Sequence, residues 1–111
     1  MSARRAPGAY DEESVEEPLV EILHIEGKLS DQLALSRAVR VEVWPESGEF
    51  VADVGEFNIH AFGATRDEAI SNLREALVEQ RQRFLTRRDR LSPAMRREAE
   101  LLESAIQSRY A

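Results

Sequence analysis

EFVADVGEFNIHAFGATRDEAISNLREALVE, residues 49–79, carries the reading of the fold. Phe50–Val54 is a short β-type run. Gly55-Glu56 breaks it, and Phe57–Phe62 alternates again with Phe57, Ile59 and Ala61 on one face. The chain then changes period. Thr65 stands just before a helical pattern, and Glu68 follows three residues later. This is capping-box spacing: the Thr65 hydroxyl is expected to accept from the Glu68 N–H, and the Glu68 carboxylate to accept from the Thr65 N–H. Asp67 and Glu68 also set negative charge at the positive end of the helix dipole. Gly63, where the chain leaves the strand, marks a position for a backbone angle closed to residues with a Cβ.

From Ala69 the apolar residues recur at three and four: Ala69, Ile70, Leu73, Ala76, Leu77 and Phe84. Arg66, Ser71, Arg74, Glu75 and Glu79 fall largely on the other side. This pattern predicts a helix from Arg66 to about Arg87 whose apolar face covers the strands before it. Upstream, Val39, Val41 and Val43 alternate with Arg40, Glu42 and Trp44, which predicts a half-buried strand over Ala38–Trp44. Pro45-Glu46-Ser47-Gly48 is turn chemistry and joins it to Phe50–Val54 as a hairpin. Pro18–Glu26 is rich in β-formers and offers a further strand, ended at Gly27-Lys28. Ser30–Ser36 reads as a turn or a single helical turn. Beyond the helix, Thr86–Leu91 is a polar connection, and Ser92-Pro93 opens a second helix with serine at the N-cap and proline at the first helical position. Its apolar stripe is Ala94, Leu101, Leu102, Ala105 and Ile106. The expected class is α+β: an antiparallel three- to four-stranded sheet packed against one main helix, plus a C-terminal helix. The expected organisation is an acidic disordered arm at 1–17, a sheet-and-helix domain at 18–90 and a C-terminal helix at 91–111.

At 111 residues the chain forms one small core. Its net charge of −6 argues against broad phosphate neutralisation as its main task. The charge is uneven. Residues 1–80 hold 7 Lys/Arg against 17 Asp/Glu, net −10, and residues 81–111 hold 8 Arg against 4 Asp/Glu, net +4. With no cysteine, disulfides, thiolate metal sites and cysteine nucleophiles are excluded. No apolar run approaches the ~20 residues of a membrane span, and the first residues lack a signal-peptide core. A cytoplasmic protein that does not bind a membrane is the expectation.

Catalytic chemistry finds little to work with. There is no nucleophile elbow and no glycine-rich phosphate loop. His24 and His60 lie in strand-like segments with no second histidine at metal spacing. Asp53, Glu56 and His60 supply zinc-ligand types in no closed motif, and Asp53 with Glu56 or Glu42 would be needed for divalent-metal chemistry. The chain is therefore read as a non-enzyme without cofactor or metal. Arg81, Arg83, Arg87, Arg88, Arg90, Arg96 and Arg97 form the one candidate contact set for nucleic acid or a partner, diluted by Asp89, Glu98 and Glu100.

Glu49–Leu77 resembles the HicB-like antitoxin family. The resemblance rests on strand, turn and strand ending in glycine, followed by G-x-T-x-x-E-A, here Gly63-Ala-Thr65-Arg-Asp-Glu68-Ala69, and by LREAL at Leu73–Leu77. It covers about a third of the chain. It implies a partial RNase H-like fold and binding to a small, basic, RNA-cleaving toxin of the HicA-like kind. The chain departs from the family in having Gly55-Glu56-Phe57-Asn58 where a proline-containing turn is common. Its C-terminal part is read as only the Ser92–Tyr110 helix, where many members carry a separate DNA-binding module. The alternative is a DNA-binding regulator that uses Arg81–Arg97. Open sheet edges predict a homodimer.

Overall fold

The computed structural model describes residues 19–110; the arm at 1–17 lies outside them. The elements are β1 (Glu21–Lys28), β2 (Leu33–Glu46), β3 (Glu49–Val54), β4 (Ile59–Gly63), α1 (Arg66–Thr86), one turn of 3₁₀ helix (Arg88–Arg90), α2 (Pro93–Ala105) and β5 (Ile106–Ser108). β1 to β4 form an antiparallel path in chain order, and β5 joins the same sheet through β2. No helix among the described residues is long and apolar enough to cross a membrane.

β2 organises the sheet. Leu35 is paired with both Gly27 and Ile106, and Val43 with both Glu21 and Ala52, so β1 fills one flank while β3 and β5 share the other. The β2–β3 loop is two residues, Ser47-Gly48, with φ of 54° and 83°. Two successive positive φ values make a mirror-image turn, whose twist matches that of the strands it joins. Alternation puts Val39, Val41 and Val43 in the core, with Ala52, Val54 and Ile59 beside them. Both helices cover this one face: Ala69, Leu73, Leu77 and Phe84 from α1, and Ala99, Leu102 and Ala105 from α2, belong to one cluster.

Several boundaries differ from the sequence reading. β2 begins at Leu33, where a turn was expected, because the hydroxyl of Ser30 accepts from the Leu33 N–H (3.2 Å) and closes the turn earlier. Between Ile25 and Gly27 the β1–β2 register shifts, which blurs the period-two signal over Ser36–Ala38. The stripe of α2 runs through Ala99, Leu102 and Ala105, whereas Ala94 is exposed and Leu101 is 45% exposed. Ile106 is buried from a strand, not from the helix, since the chain extends after Ala105 to pair with Leu35.

The junction of β4 and α1 is tight. Thr65 caps the helix, and its Oγ1 accepts from the Glu68 N–H (3.1 Å). The returning bond differs by one residue from expectation: Glu68 Oε1 accepts from the Ala64 N–H (2.7 Å), not from that of Thr65. Gly63 is also needed for a different reason. Its φ is not positive. A Cβ there would lie 2.4 Å from the Ala69 nitrogen and 2.8 Å from the Glu68 carbonyl carbon. Space, not dihedral freedom, excludes a side chain.

The polar side of α1 is also used. Arg66 forks onto Glu21 of β1, Nε to Oε1 at 2.6 Å and Nη2 to Oε2 at 2.7 Å. Arg74 Nη1 donates to the carbonyls of Glu26 (3.2 Å) and Lys28 (3.1 Å). Two arginines assigned to the outward face thus strap the edge strand β1 to the helix. Asn72 Nδ2 does the same for β4, donating to the Phe62 carbonyl (2.8 Å).

Two outcomes follow. Gly63→Ala forces backbone apart at the junction and is expected to cost about 3 kcal/mol. Gly55→Ala, where a Cβ would meet only the Asp53 carboxylate at 3.8 Å, is expected to change stability by under about 0.5 kcal/mol. Urea unfolding of both variants checks the contrast. The second outcome concerns pH. The hydrogen bond from Arg66 holds the Glu21 carboxyl below its usual range, and the arginine's charge adds to this. The same bond holds Arg66 more firmly protonated. A carboxyl with a lowered folded pKa stabilises the fold above its unfolded value of about 4.3, and the gain fades as pH falls through and below that value. Wild type is therefore expected to exceed Glu21→Gln in stability at pH 7, with the two converging below pH ~4.

Candidate binding face

The opposite face of the sheet is covered by neither helix. Because side chains alternate along a strand, the register fixes which residues stand side by side on it. Trp44 is opposite Val51, and Val51 opposite Phe62. One step further along the strands, Ile22 is opposite Glu42, Glu42 opposite Asp53, and Asp53 opposite His60. At the hairpin end, Glu46 is opposite Glu49. The face thus carries an apolar row, Trp44–Val51–Phe62, with one pair of carboxylates on each side of it.

Exposure agrees with this arrangement. Phe62 is 48% exposed and Ile22 54%. Val51 is buried yet does not belong to the core cluster, which lies on the other side of the sheet. The His60 ring meets Phe62 edge to face at 5.6 Å between centroids. Trp44 Nε1 donates to Glu46 Oε1 (2.9 Å), and Arg40 pairs with Glu42 (2.7 Å). Between β2 and the β3–β4 turn, Arg40, Glu42, Asp53, Gly55 and Glu56 line a concavity of about 340 Å³.

The candidate metal ligands do not converge. Asp53 and His60 are neighbours in register, but Glu56 turns to Arg37. Among the described residues, no group of three His, Asp or Glu side chains is placed to hold a metal ion. Gly63, Thr65, Glu68 and Ala69 do come together, at the β4–α1 junction, where they shape the backbone and cap the helix.

The seven candidate arginines spread over the end of α1, the 3₁₀ turn and the start of α2. Arg81 is half-buried, and its Nε has no hydrogen-bond partner. Arg83 donates to Gln80 (2.9 Å), Arg88 pairs with Glu103 (2.8 Å), and Arg96 donates to the Leu91 carbonyl (3.3 Å). Arg87, Arg90 and Arg97 are exposed. A concavity of about 250 Å³ lies here, lined by Phe84, Arg88, Leu91, Arg96, Ala99, Glu100 and Glu103. With two carboxylates in its wall, this elbow is of mixed charge and not a uniform cation surface.

Sequence reasoning placed Arg40, Glu42 and Trp44 away from the core but missed the rows they belong to. The signal was present in Ser47-Gly48. Reading a two-residue loop there sets Glu46 against Glu49, and the remaining pairs follow by counting. No family model matches this chain, and it matches no curated protein and no solved structure.

Proposed function

We propose that this chain is an antitoxin-like binding protein of the HicB type, which neutralises a small, basic, RNA-cleaving toxin by direct contact and has no catalysis of its own. The observation that carries the reading is the sheet face that neither helix covers. Among the described residues neither helix covers this side, and a face with exposed Phe62 and Ile22 beside half-buried Trp44 is characteristic of an interaction surface. The acidic balance of residues 1–80 suits a basic partner and favours fast, salt-sensitive association. The residues that carry the family resemblance, Gly63, Thr65, Glu68 and Ala69, serve the junction and not the face. They therefore speak for a shared fold, while the face speaks for binding.

The second reading, a DNA-binding regulator, draws on exposed Arg87, Arg90 and Arg97 at the α1–α2 elbow. Glu100 and Glu103 in the same elbow weaken it. A gel shift on the chain's own promoter at physiological salt separates the two; a specific complex lost in an Arg87/Arg90/Arg97 triple alanine variant would favour the regulator.

For the antitoxin reading the expected result is co-purification with a small basic protein encoded beside it, and relief of that protein's toxicity on co-expression. Replacing Trp44 and Phe62 with alanine is expected to weaken the complex by roughly 100-fold or more, since aromatic anchors dominate interfaces. A basic neighbour that is neither bound nor neutralised by the wild-type chain overturns the reading.

A further inference from the structure

We infer that the open face is a docking surface for an extended basic segment in which an apolar side chain lies between two cationic ones. The inference rests on the binding-protein reading and adds to it the surface and the pattern it recognises. The two acidic pairs, Glu46 with Glu49 and Glu42 with Asp53, each set like charges directly across from one another on β2 and β3. Such pairs destabilise a free sheet. Nothing in the packing asks for them: Ala52 and Val54 on the core side of β3 and Val41 and Val43 on that of β2 already supply the core. Relief by internal partners is partial. Arg40 serves Glu42, and the Trp44 indole N–H serves Glu46.

The spacing specifies the partner. Residues two apart along a strand are about 7 Å apart, so each acidic pair stands ~7 Å from the apolar row, one on either side. An extended chain lying along β2 and β3 presents its own side chains at the same step on one face. The matching pattern is Lys/Arg–x–apolar–x–Lys/Arg, with the central residue against Trp44 and Phe62 and each cation over one pair of carboxylates. A cation shared by two carboxylates forms charge-assisted hydrogen bonds and removes their mutual repulsion at once. Binding thus gains from relief of a cost present in the free protein.

The test uses the whole chain and two synthetic peptides, Arg-Ser-Leu-Ser-Arg repeated twice and the same peptide with every arginine replaced by glutamine. Amide and indole NMR shifts report the site, and Trp44, the only tryptophan, gives a fluorescence signal. The basic peptide is expected to shift the Trp44 indole and the Val51 and Phe62 amides, with affinity falling as salt rises. The glutamine peptide is expected to bind at least tenfold more weakly. The Glu49→Gln/Asp53→Asn variant is expected to lose about tenfold in affinity while melting at a higher temperature when unbound. Equal binding of both peptides, shifts confined to α1 or α2, or a lower melting temperature in the variant would each overturn the inference. If a basic neighbour is neutralised equally by wild type and variant, the docking surface fails and the antitoxin reading survives. If the peptides behave as stated but the neighbour is neither bound nor neutralised, the antitoxin reading fails and the docking surface survives.

Discussion

At Gly63 the backbone of the sheet and the backbone of the helix meet with no room for a side chain between them. That contact fixes where α1 starts and how close it lies to β4. Thr65 and Glu68 then hold the first turn from both sides of the junction. Once the start is fixed, the helical period directs Ala69, Leu73 and Leu77 at the strands. Arg66 and Arg74 come within reach of β1, and Asn72 within reach of β4. One close approach therefore sets the apolar seam and its polar fastenings together.

The same geometry decides what is left uncovered. Both helices lie on one side, so a single core absorbs Leu102 and Ala105 as well as Leu73 and Leu77. The other side keeps an apolar centre and a charged surround. A purely structural face in that position would be expected to alternate polar residues outward with no aromatic cluster. Trp44 and Phe62 depart from that pattern, and the carboxylates, though polar, stand as like charges directly opposite one another. Departures of this kind from local rules are where function is usually found.

Much of the fold was legible in the chain because its signals are local. Thr65 and Ser92-Pro93 announced both helix starts through capping chemistry, and Val39, Val41 and Val43 announced the central strand through alternation. What escaped was non-local. Ile106–Ser108 is too short to show a period and is a strand only because Leu33–Leu35 lies beside it. Arg66 looks like a surface residue until Glu21 is brought across from β1. The need at Gly63 depends on where Ala69 sits, not on its own φ. The open face was half legible: which residues point away from the core could be read, but which of them are neighbours required the register.

The placement of Ile106–Ser108 has a consequence for how the molecule is made. β2 lies early in the chain, yet the flank at Leu33–Leu35 is closed only by residues near the other extreme. The β1–β4 ribbon consists of near-neighbour hairpins and can form before that closure. Until Ile106 pairs with it, that flank of Leu35 is a bare edge. The final assembly step is a long-range closure, slow compared with the hairpins that precede it. During that interval the nascent protein presents a strand edge open to foreign pairing.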